Sequence, residues 1–277
     1  MTRSAARAAA ADRSDPGSYP EIHPPVRGRA DGAPARTLLF LHGGNVANWM
    51  WDQQVKGFPD YRVFTPHLPG FGARAAEDWA GLESAADDVA AFVADQVEEG
   101  GVHVVGLSLG GVVALRLMAR HPELVDSALV SGVPARGIDA AARQLARLQV
   151  RLWGREWFWR FQAGAFGIPP DDRRLFADHG ITIRPENARR MMAEVYAGGL
   201  PAGLGSYAGP VLAVAGSREP PVVRRSFPDI GAALPQADFR LAPSMHHQWS
   251  IEDPLLFNSM VRMWVERGRA HPRLLPA

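Results

Sequence analysis

The stretch VHVVGLSLGGVVALRLMAR, residues 102–120, decides the fold because it predicts a β-strand, a tight turn and an α-helix in direct succession. Residues 102–107 (VHVVGL) are almost wholly apolar, which is typical of a strand buried in a parallel sheet. Residues 110–120 (GGVVALRLMAR) favour a helix that ends before Pro122, since proline does not continue a helix. The turn between them, residues 106–110 (GLSLG), has the form G-x-S-x-G.

The serine of this motif has the setting of a catalytic nucleophile. A sharp strand-to-helix turn strains the backbone of its central residue and requires neighbours without bulk, and Gly106 and Gly110 meet that requirement. The helix that begins there directs free N–H groups towards negative charge forming beside Ser108. The alternative is that Ser108 is only a helix N-cap. Because both the strand and the helix are present, we expect a nucleophile.

Further strands alternate with helices along the chain. Residues 85–99 have apolar side chains at helical spacing and end at a Gly-Gly pair. This alternation predicts an α/β fold with a mostly parallel, doubly wound sheet and helices on both faces. Besides residues 102–107, the predicted strands are residues 37–42 (TLLFLH), 61–66 (YRVFTP), 125–130 (VDSALV) and 210–215 (PVLAVA).

One long segment interrupts the alternation. Residues 134–208, about seventy-five residues, are too many for a crossover connection between two strands. They show helical patterns at residues 140–152 and 185–196. We therefore expect a helical cap, inserted before residues 210–215 as the penultimate strand. Such a cap covers the carboxyl edge of the sheet, where open α/β sheets place their sites.

The chain is thus divided into three parts. Residues 1–36, rich in Ala, Arg, Pro, Gly and Asp, predict a flexible N-terminal tail with at most one weak strand at residues 21–27. Residues 37–133 and 209–277 form the predicted α/β core. Residues 134–208 form the predicted cap.

Composition excludes several classes of protein. Hydrophobic residues make up 47% of the chain and charged residues 21%, so a large core is expected and general disorder is excluded. The formal charge of +1 provides no field to gather nucleic acid or an anionic membrane. The absence of cysteine excludes disulfides, cysteine-ligated zinc and a thiol nucleophile.

The N-terminal alanine run does not predict a targeting segment. Arg7 interrupts it, and residues 1–11 contain no Leu, Val, Ile or Phe to form the apolar region of a signal peptide. No later stretch approaches the ~20 apolar residues of a membrane span. We expect a cytoplasmic protein whose partner is a small-molecule substrate.

Four segments resemble the α/β-hydrolase superfamily in their order and spacing. The resemblance extends over residues 37–265, and none of the segments lies in the cap. It implies a serine hydrolase without a cofactor or metal, in which the backbone N–H groups of Gly44 and Leu109 form the oxyanion hole. The segments are LHGG (residues 41–44), HLPGFG (67–72), GLSLGG (106–111) and HQWSIEDP (247–254).

A serine hydroxyl is a poor nucleophile until a base takes its proton, so a histidine is expected late in the chain. His246 and His247 are both available. In the family, the catalytic histidine stands five residues before an acid and seven before a proline, and Glu252 and Pro254 fit His247. His246 is then a neighbouring loop residue at the pocket. A two-histidine metal pair is disfavoured, since adjacent residues rarely converge on one ion.

The resemblance also indicates the acid that orients the base. Relatives place an Asp a few residues after the penultimate strand, where this chain has Glu219 within GSRE. A glutamate can hold the imidazole as an aspartate does. The alternative role of Glu219 is a solvated ion pair with Arg218. Asp139, which follows the preceding strand, and Asp229 are the other candidates for the acid.

These residues imply two-step acyl transfer through an acyl-enzyme on Ser108. The many aromatic residues of the predicted cap suggest an apolar substrate, although aromatics at helical spacing also pack a cap onto its core. The candidate substrate-binding residues are Asn45, Trp49, Trp153, Trp157 and His246.

Several functions share this scaffold. A serine nucleophile disfavours the dehalogenase and epoxide-hydrolase branches of the family, which use aspartate. We expect an esterase or lactonase first and a carbon-carbon bond hydrolase second. A lyase or cyclase that uses His247 without an acyl-enzyme is a further alternative. A non-catalytic member that binds a ligand in the same pocket is the alternative from a different class.

Overall fold

The computed structural model describes residues 18–277, and within that range eight strands form one sheet. Their order is β1-β3-β2-β4-β5-β6-β7-β8. The six inner strands are parallel, while β1 and β8 pair antiparallel at the two edges. The predicted α/β fold is confirmed. The strands are β1 (Ile22–His23), β2 (Thr37–Leu41), β3 (Arg62–Phe64), β4 (Val102–Leu107), β5 (Val125–Ser131), β6 (Val211–Gly216), β7 (Asp238–Ala242) and β8 (Leu275–Pro276).

Helices cover the sheet, with α2 packed against α3 and α1 against α11. None of the helices within residues 18–277 has the length and apolar character needed to cross a membrane. The helices are α1 (Asp52–Gly57), α2 (Leu82–Gln96), α3 (Leu109–Arg120), α4 (Ala140–Gln149), α5 (Glu156–Ala165), α6 (Arg173–Thr182), α7 (Pro185–Ala197), α8 (Pro221–Arg225), α9 (Phe227–Ala233), α10 (Trp249–Glu252) and α11 (Pro254–Arg267).

The central strands form the core of the molecule. Every residue of β2 and of β6 is buried, as a near-continuous apolar run predicts for a strand covered on both faces. Because these strands are parallel, their carboxyl ends meet at one edge of the sheet. The residues that follow them, Gly44 after β2, Ser108 after β4, Gly132 after β5 and Glu219 after β6, therefore lie near one another.

Four helices, α4 to α7, occupy the chain between β5 and β6. We call them the helical insertion. The predicted helices at residues 140–152 and 185–196 correspond to α4 and α7, whereas α5 and α6 were not distinguished in the sequence. An added Cβ at Gly180 of α6 would overlap the Trp159 indole, so this glycine permits α5 and α6 to approach closely.

The carboxyl-terminal part of the sheet differs from the prediction. Residues 210–215 are expected to be the penultimate strand, but β7 and β8 both follow β6, so β6 is third from the end. β7 has the sequence DFRLA and most of it is only half-buried. It lies near the sheet edge, where Asp238 and Arg240 are tolerated and the apolar run that marks an inner strand is not needed.

The segment before β2 is part of the sheet in its described portion. β1 pairs with β3, and the Tyr19 side chain is buried. The Asn48 Nδ2 amide donates to the carbonyls of Tyr19 and Pro20 at 3.0 and 3.1 Å. The weak strand predicted at residues 21–27 is thus a two-residue strand, and the chain there is held rather than flexible. The prediction that residues 1–11 are not a targeting segment concerns residues outside the described range.

Candidate active site

Ser108 stands in a strained turn between β4 and α3. Its backbone has φ 54° and ψ −114°, a strained conformation that side-chain-bearing residues rarely adopt. An added Cβ at Gly106 or at Gly110 would overlap the backbone, so the turn requires glycine at both positions. The Ser108 hydroxyl makes no capping hydrogen bond to α3, so the alternative role as a side-chain N-cap is not observed.

A buried histidine fixes the loop that follows β2. The Leu68 N–H donates to His42 Nε2 at 3.1 Å, so the ring proton lies on Nδ1, which donates to the Gly43 carbonyl at 2.9 Å. Burial lowers the pKa of His42 to about 3, so the ring is neutral at physiological pH. Next along the loop, an added Cβ at Gly44 would lie 3.7 Å from Leu109 Cβ. The two residues predicted to form the oxyanion hole are therefore neighbours.

His247 and Glu219 form a buried pair. His247 Nδ1 lies 2.8 Å from Glu219 Oε1, and the Glu219 side chain has no solvent-exposed surface. The loop after β6 holds the acid in place, because the Glu219 N–H donates to the Gly216 carbonyl at 3.0 Å. The Arg218 N–H donates to the Met245 carbonyl at 2.9 Å, which ties this loop to the loop that carries His247. A carboxylate in this position fixes the tautomer of the imidazole.

The other candidate acids have structural partners. Asp139 caps α4 by accepting a hydrogen bond from the Ala142 N–H at 2.8 Å. Asp229 forms an ion pair with Arg136 at 3.2 Å. Neither aspartate lines the cavity described below.

His246 has a separate acidic partner. Its Nδ1 lies 3.0 Å from Glu252 Oε1, and its backbone N–H donates to Glu252 Oε2 at 2.9 Å. The two histidines are therefore held by different carboxylates, and only His247 is bonded to a fully buried one. Across residues 18–277, no group of three or more His, Asp or Glu side chains is arranged to hold a metal ion.

A cavity of about 410 Å³ opens onto these residues. Its polar end contains Ser108, His247, Gly44 and Leu109, together with the predicted residues Asn45 and His246. Its apolar wall comes largely from the helical insertion, and the Phe166 ring lies 6.2 Å from the His247 ring. The apolar lining residues include Ile138, Leu145, Phe166, Met191, Met192, Val195 and Tyr196.

Three predicted substrate-binding residues lie away from this cavity. Trp49 is buried in the core, in the turn before α1. Trp153 is buried against Trp159, with ring centroids 4.8 Å apart, while Trp157 is 59% exposed. Trp49 therefore packs the core, Trp153 packs the helical insertion together and Trp157 faces solvent.

Four of the lining residues that were not predicted from the sequence lie on α7. Met191, Met192, Val195 and Tyr196 follow the i, i+4 spacing that places side chains on one face of a helix. The sequence predicted the helix but could not indicate which element its apolar face would meet. The adjacent pair of methionines was the available signal, because methionine is common at adaptable binding surfaces.

Gly132 offers a test of how closely the pair is packed. Its φ is +68°, and an added Cβ would lie 2.7 Å from His247 Cε1 and 3.1 Å from Glu219 Oε1. Gly132→Ala is expected to push the imidazole aside and to lower kcat by about 100-fold, the cost of a ~1 Å misplacement. Initial rates of ester hydrolysis by the purified variant measure this.

The matched control is Gly100→Ala, because Gly100 has φ +80° and open space around it. Both variants are expected to lose about 1–2 kcal/mol of stability from the positive φ, but only Gly132→Ala loses turnover. Equal kcat values for the two variants would show that the His247–Glu219 pair tolerates displacement.

A second buried histidine predicts sensitivity to acid. His179 of α6 is fully buried, and burial lowers its pKa to about 3 from 6.5. The folded state thus stays neutral while the unfolded chain binds a proton, so the contribution to stability is complete above pH 6.5 and is lost as pH falls towards 3. When the pH is lowered from 7 to 5, the free energy of unfolding should therefore fall by about 2 kcal/mol less in His179→Gln than in the wild-type protein. Guanidinium unfolding at the two pH values measures this, and identical losses would contradict it.

Comparisons with known proteins identify the family of this chain. The model of the alpha/beta hydrolase family matches residues 38–260. RutD of Agrobacterium fabrum is 28% identical over 253 residues, which cover 86% of this chain and 95% of RutD. The esterase Rv0045c of Mycobacterium tuberculosis is 33% identical over 137 residues, which cover 48% of this chain and 45% of that protein.

Solved structures show the same fold. A thermophilic esterase from Thermogutta terrifontis superimposes with a TM-score of 0.70 at 22% identity, covering 85% of this chain and 91% of that one. The enol-lactonase of Burkholderia xenovorans superimposes with a TM-score of 0.71 at 19% identity, covering 88% of this chain and 96% of that one. The family match spans most of the chain, including the strands that carry Ser108 and Glu219. The chain therefore belongs to the α/β-hydrolase family.

Proposed function

We propose that this chain is a serine hydrolase that cleaves an ester, lactone or related acyl bond of a small, largely apolar molecule. The observation that carries the proposal is the fully buried Glu219 carboxylate, 2.8 Å from His247 Nδ1, at the cavity that also contains the strained Ser108. A buried acid, an oriented imidazole and a hydroxyl at one cavity are the parts that nucleophilic acyl transfer requires.

In the first step, Ser108 Oγ attacks the carbonyl carbon of the substrate. Glu219 holds the His247 proton on Nδ1, so Nε2 is free to accept the proton of the hydroxyl. The carbonyl oxygen gains negative charge and receives hydrogen bonds from the N–H groups of Gly44 and Leu109. The amino terminus of α3 adds favourable electrostatic potential at the same point.

The tetrahedral intermediate then collapses to an acyl-enzyme. His247 gives the proton from Nε2 to the leaving alcohol, and the bond between the carbonyl carbon and the alcohol oxygen breaks. Water enters, loses a proton to His247 and attacks the acyl carbon. The carboxylic acid leaves as the proton returns to Ser108 Oγ, which restores the enzyme.

The cavity and the names of relatives support the proposed substrate class. An apolar wall of Met, Val, Ile and Phe side chains suits an apolar acyl or alcohol group, and about 410 Å³ suits a small molecule. The names of relatives refer to ester and carbamate hydrolysis, and one structural neighbour is an enol-lactonase. Each of these reactions cleaves an acyl bond.

We also propose that residues 134–208 act as a cap over the site. Helices α4 to α7 fall within this range, and residues of α4 and α7 line the cavity above Ser108. A cap of this kind excludes water and determines which acyl groups enter. The neighbouring segments 37–133 and 209–277 carry the catalytic residues.

A series of p-nitrophenyl esters with lengthening acyl chains tests the proposed function. Each added methylene that is buried contributes ~0.8 kcal/mol, so kcat/KM is expected to rise about fourfold per methylene until the cavity is filled, and then to fall. Absence of turnover with every ester would contradict the proposal. It would favour a carbon-carbon bond hydrolase, a lyase or cyclase, or a ligand-binding protein.

A further inference from the structure

An unusual share of exposed apolar surface lies in one segment of the helical insertion. Residues 140–161, from the start of α4 into α5, contain four of the nine large hydrophobic residues that are exposed within residues 18–277. We call this range the basic apolar segment. The four residues are Leu145 (59% exposed), Leu148 (43%), Trp157 (59%) and Phe161 (70%).

The four exposed residues form two pairs, one on each helix. Leu145 and Leu148 are three residues apart on α4, and Trp157 and Phe161 are four residues apart on α5. Residues at these spacings share one face of a helix. Two short apolar ridges are therefore exposed to solvent, and grouped exposed apolar residues mark interaction sites, whereas singly scattered ones do not.

The same segment carries a local excess of positive charge. Between Asp139 and Glu156 the sequence contains four arginines and no acid. None of the four forms an ion pair within residues 18–277, whereas Arg160 is paired with Glu156. The formal charge of the whole chain, only +1, conceals this cluster. The arginines are Arg143, Arg147, Arg151 and Arg155.

We propose that the basic apolar segment docks on an anionic lipid surface. Unpaired arginines that alternate along the sequence with exposed Leu, Trp and Phe are typical of helices that lie in a membrane interface, where the charged and apolar residues occupy different faces. The arginine stems extend along apolar surface while their guanidinium groups meet lipid phosphates. A second copy of the chain is a poorer occupant, because a two-fold contact places the same arginines opposite one another.

The position of the segment connects this surface with the cavity. Ala142, Leu145, Ala146 and Gln149 of α4 line the cavity that contains Ser108. Docking would hold the cavity wall at the lipid, so that an apolar ester dissolved in the membrane enters without crossing water. This delivery rests on the proposed function, whereas lipid binding itself does not.

Trp157 provides a direct signal for docking. The structure describes all eight tryptophans, and Trp157 is the only one exposed. Vesicles of phosphatidylcholine with about half phosphatidylglycerol are expected to shift its fluorescence to the blue and to protect it from iodide quenching, whereas pure phosphatidylcholine is not. Raising NaCl from about 0.05 to about 0.5 M is expected to weaken binding by about tenfold or more, because salt screens the arginines.

Variants identify the residues responsible, with binding measured by vesicle sedimentation. Trp157→Ser with Phe161→Ser is expected to weaken binding by about tenfold or more. Arg147→Gln with Arg151→Gln is expected to weaken it by about 25-fold, roughly fivefold for each arginine at an anionic surface.

Matched controls are Leu255→Ser, at an exposed leucine of α11, and Arg267→Gln with Arg269→Gln, at exposed arginines near its end. These are expected to bind as wild type does. Ser108→Ala is also expected to bind unchanged, which separates docking from catalysis. Circular dichroism verifies that each variant is folded.

Three results would overturn the proposal. The first is equal binding to neutral and anionic vesicles, or none to either. The second is an equal loss of binding in the control variants. The third is evidence for a different occupant. A dimer in sedimentation velocity that is abolished by Trp157→Ser with Phe161→Ser would indicate a second copy of the chain. Binding to poly-L-glutamate but not to vesicles would indicate an acidic protein.

Discussion

Replacing Ser108 with alanine is expected to lower kcat for ester hydrolysis by about a millionfold, the largest effect of any single change in this protein. The loss follows because no acyl-enzyme forms without Oγ, and neither His247 nor Glu219 can then act on the substrate. Residual rates of about 10³–10⁴ above the uncatalysed reaction are expected from the oxyanion hole and binding alone. Stopped assays over hours, with highly purified protein, measure turnover at this level.

A second serine offers a matched control. Ser244 is the other non-glycine residue with a positive φ among residues 18–277, and it does not line the cavity. Ser244→Ala should therefore retain wild-type kcat. If Ser108→Ala retained a substantial part of the activity, the chemistry would proceed from His247 without an acyl-enzyme, as in a lyase.

Replacing Glu219 with glutamine is expected to lower kcat by about 10⁴-fold while leaving KM nearly unchanged. The amide is almost the size of the carboxylate, so the geometry persists. Its NH₂ group can donate to His247 Nδ1, however, which places the ring proton on Nε2. With a proton already on Nε2, the imidazole cannot accept the proton of the Ser108 hydroxyl. A neutral side chain also fails to stabilise the imidazolium formed in the transition state. Steady-state kinetics with one p-nitrophenyl ester separates kcat from KM.

Two other acids provide controls for this variant. Asp139→Asn keeps the cap of α4, since Asn caps as well as Asp, and Glu252→Gln alters the acid beside His246. Both are expected to retain kcat within about tenfold, because neither carboxylate contacts His247. A large loss in Asp139→Asn with little loss in Glu219→Gln would move the catalytic acid to the loop after β5.

The sequence alone was sufficient to predict those features that depend on the sterics of the local backbone. The strained turn at Ser108 was predictable because Gly106 and Gly110 flank the serine between a strand and a helix. The inner strands were predictable because burial on both faces demands a continuous apolar run. β7 was not, because a half-buried strand with Asp238 and Arg240 has no such run.

The position of Glu219 beside His247 was predictable from the sequence. Pro220 and Pro221 follow Glu219, and the structure shows why they are tolerated. Pro221 is the first residue of α8, where a helix does not need the missing N–H. The prolines end the loop immediately after the acid, so Glu219 stays on the turn that leaves β6.

The residues that line the cavity were less predictable, because they depend on how elements pack. Trp49, Trp153 and Trp157 had the right chemistry for an apolar pocket, but helical periodicity does not state which neighbour a face will meet. The cavity wall instead uses Met191 and Met192, whose flexible side chains fill irregular space. Tertiary packing decides such placements.

Covalent labelling by a fluorophosphonate tests the central claim most directly, because only an activated serine reacts with it. Peptide mapping by mass spectrometry is expected to find one adduct, on Ser108, in the wild-type protein. No adduct is expected in Ser108→Ala, and slow labelling is expected in His247→Ala and Glu219→Gln. An unlabelled wild-type protein, or an adduct on a different serine, would contradict the assignment of Ser108, His247 and Glu219 as the catalytic residues.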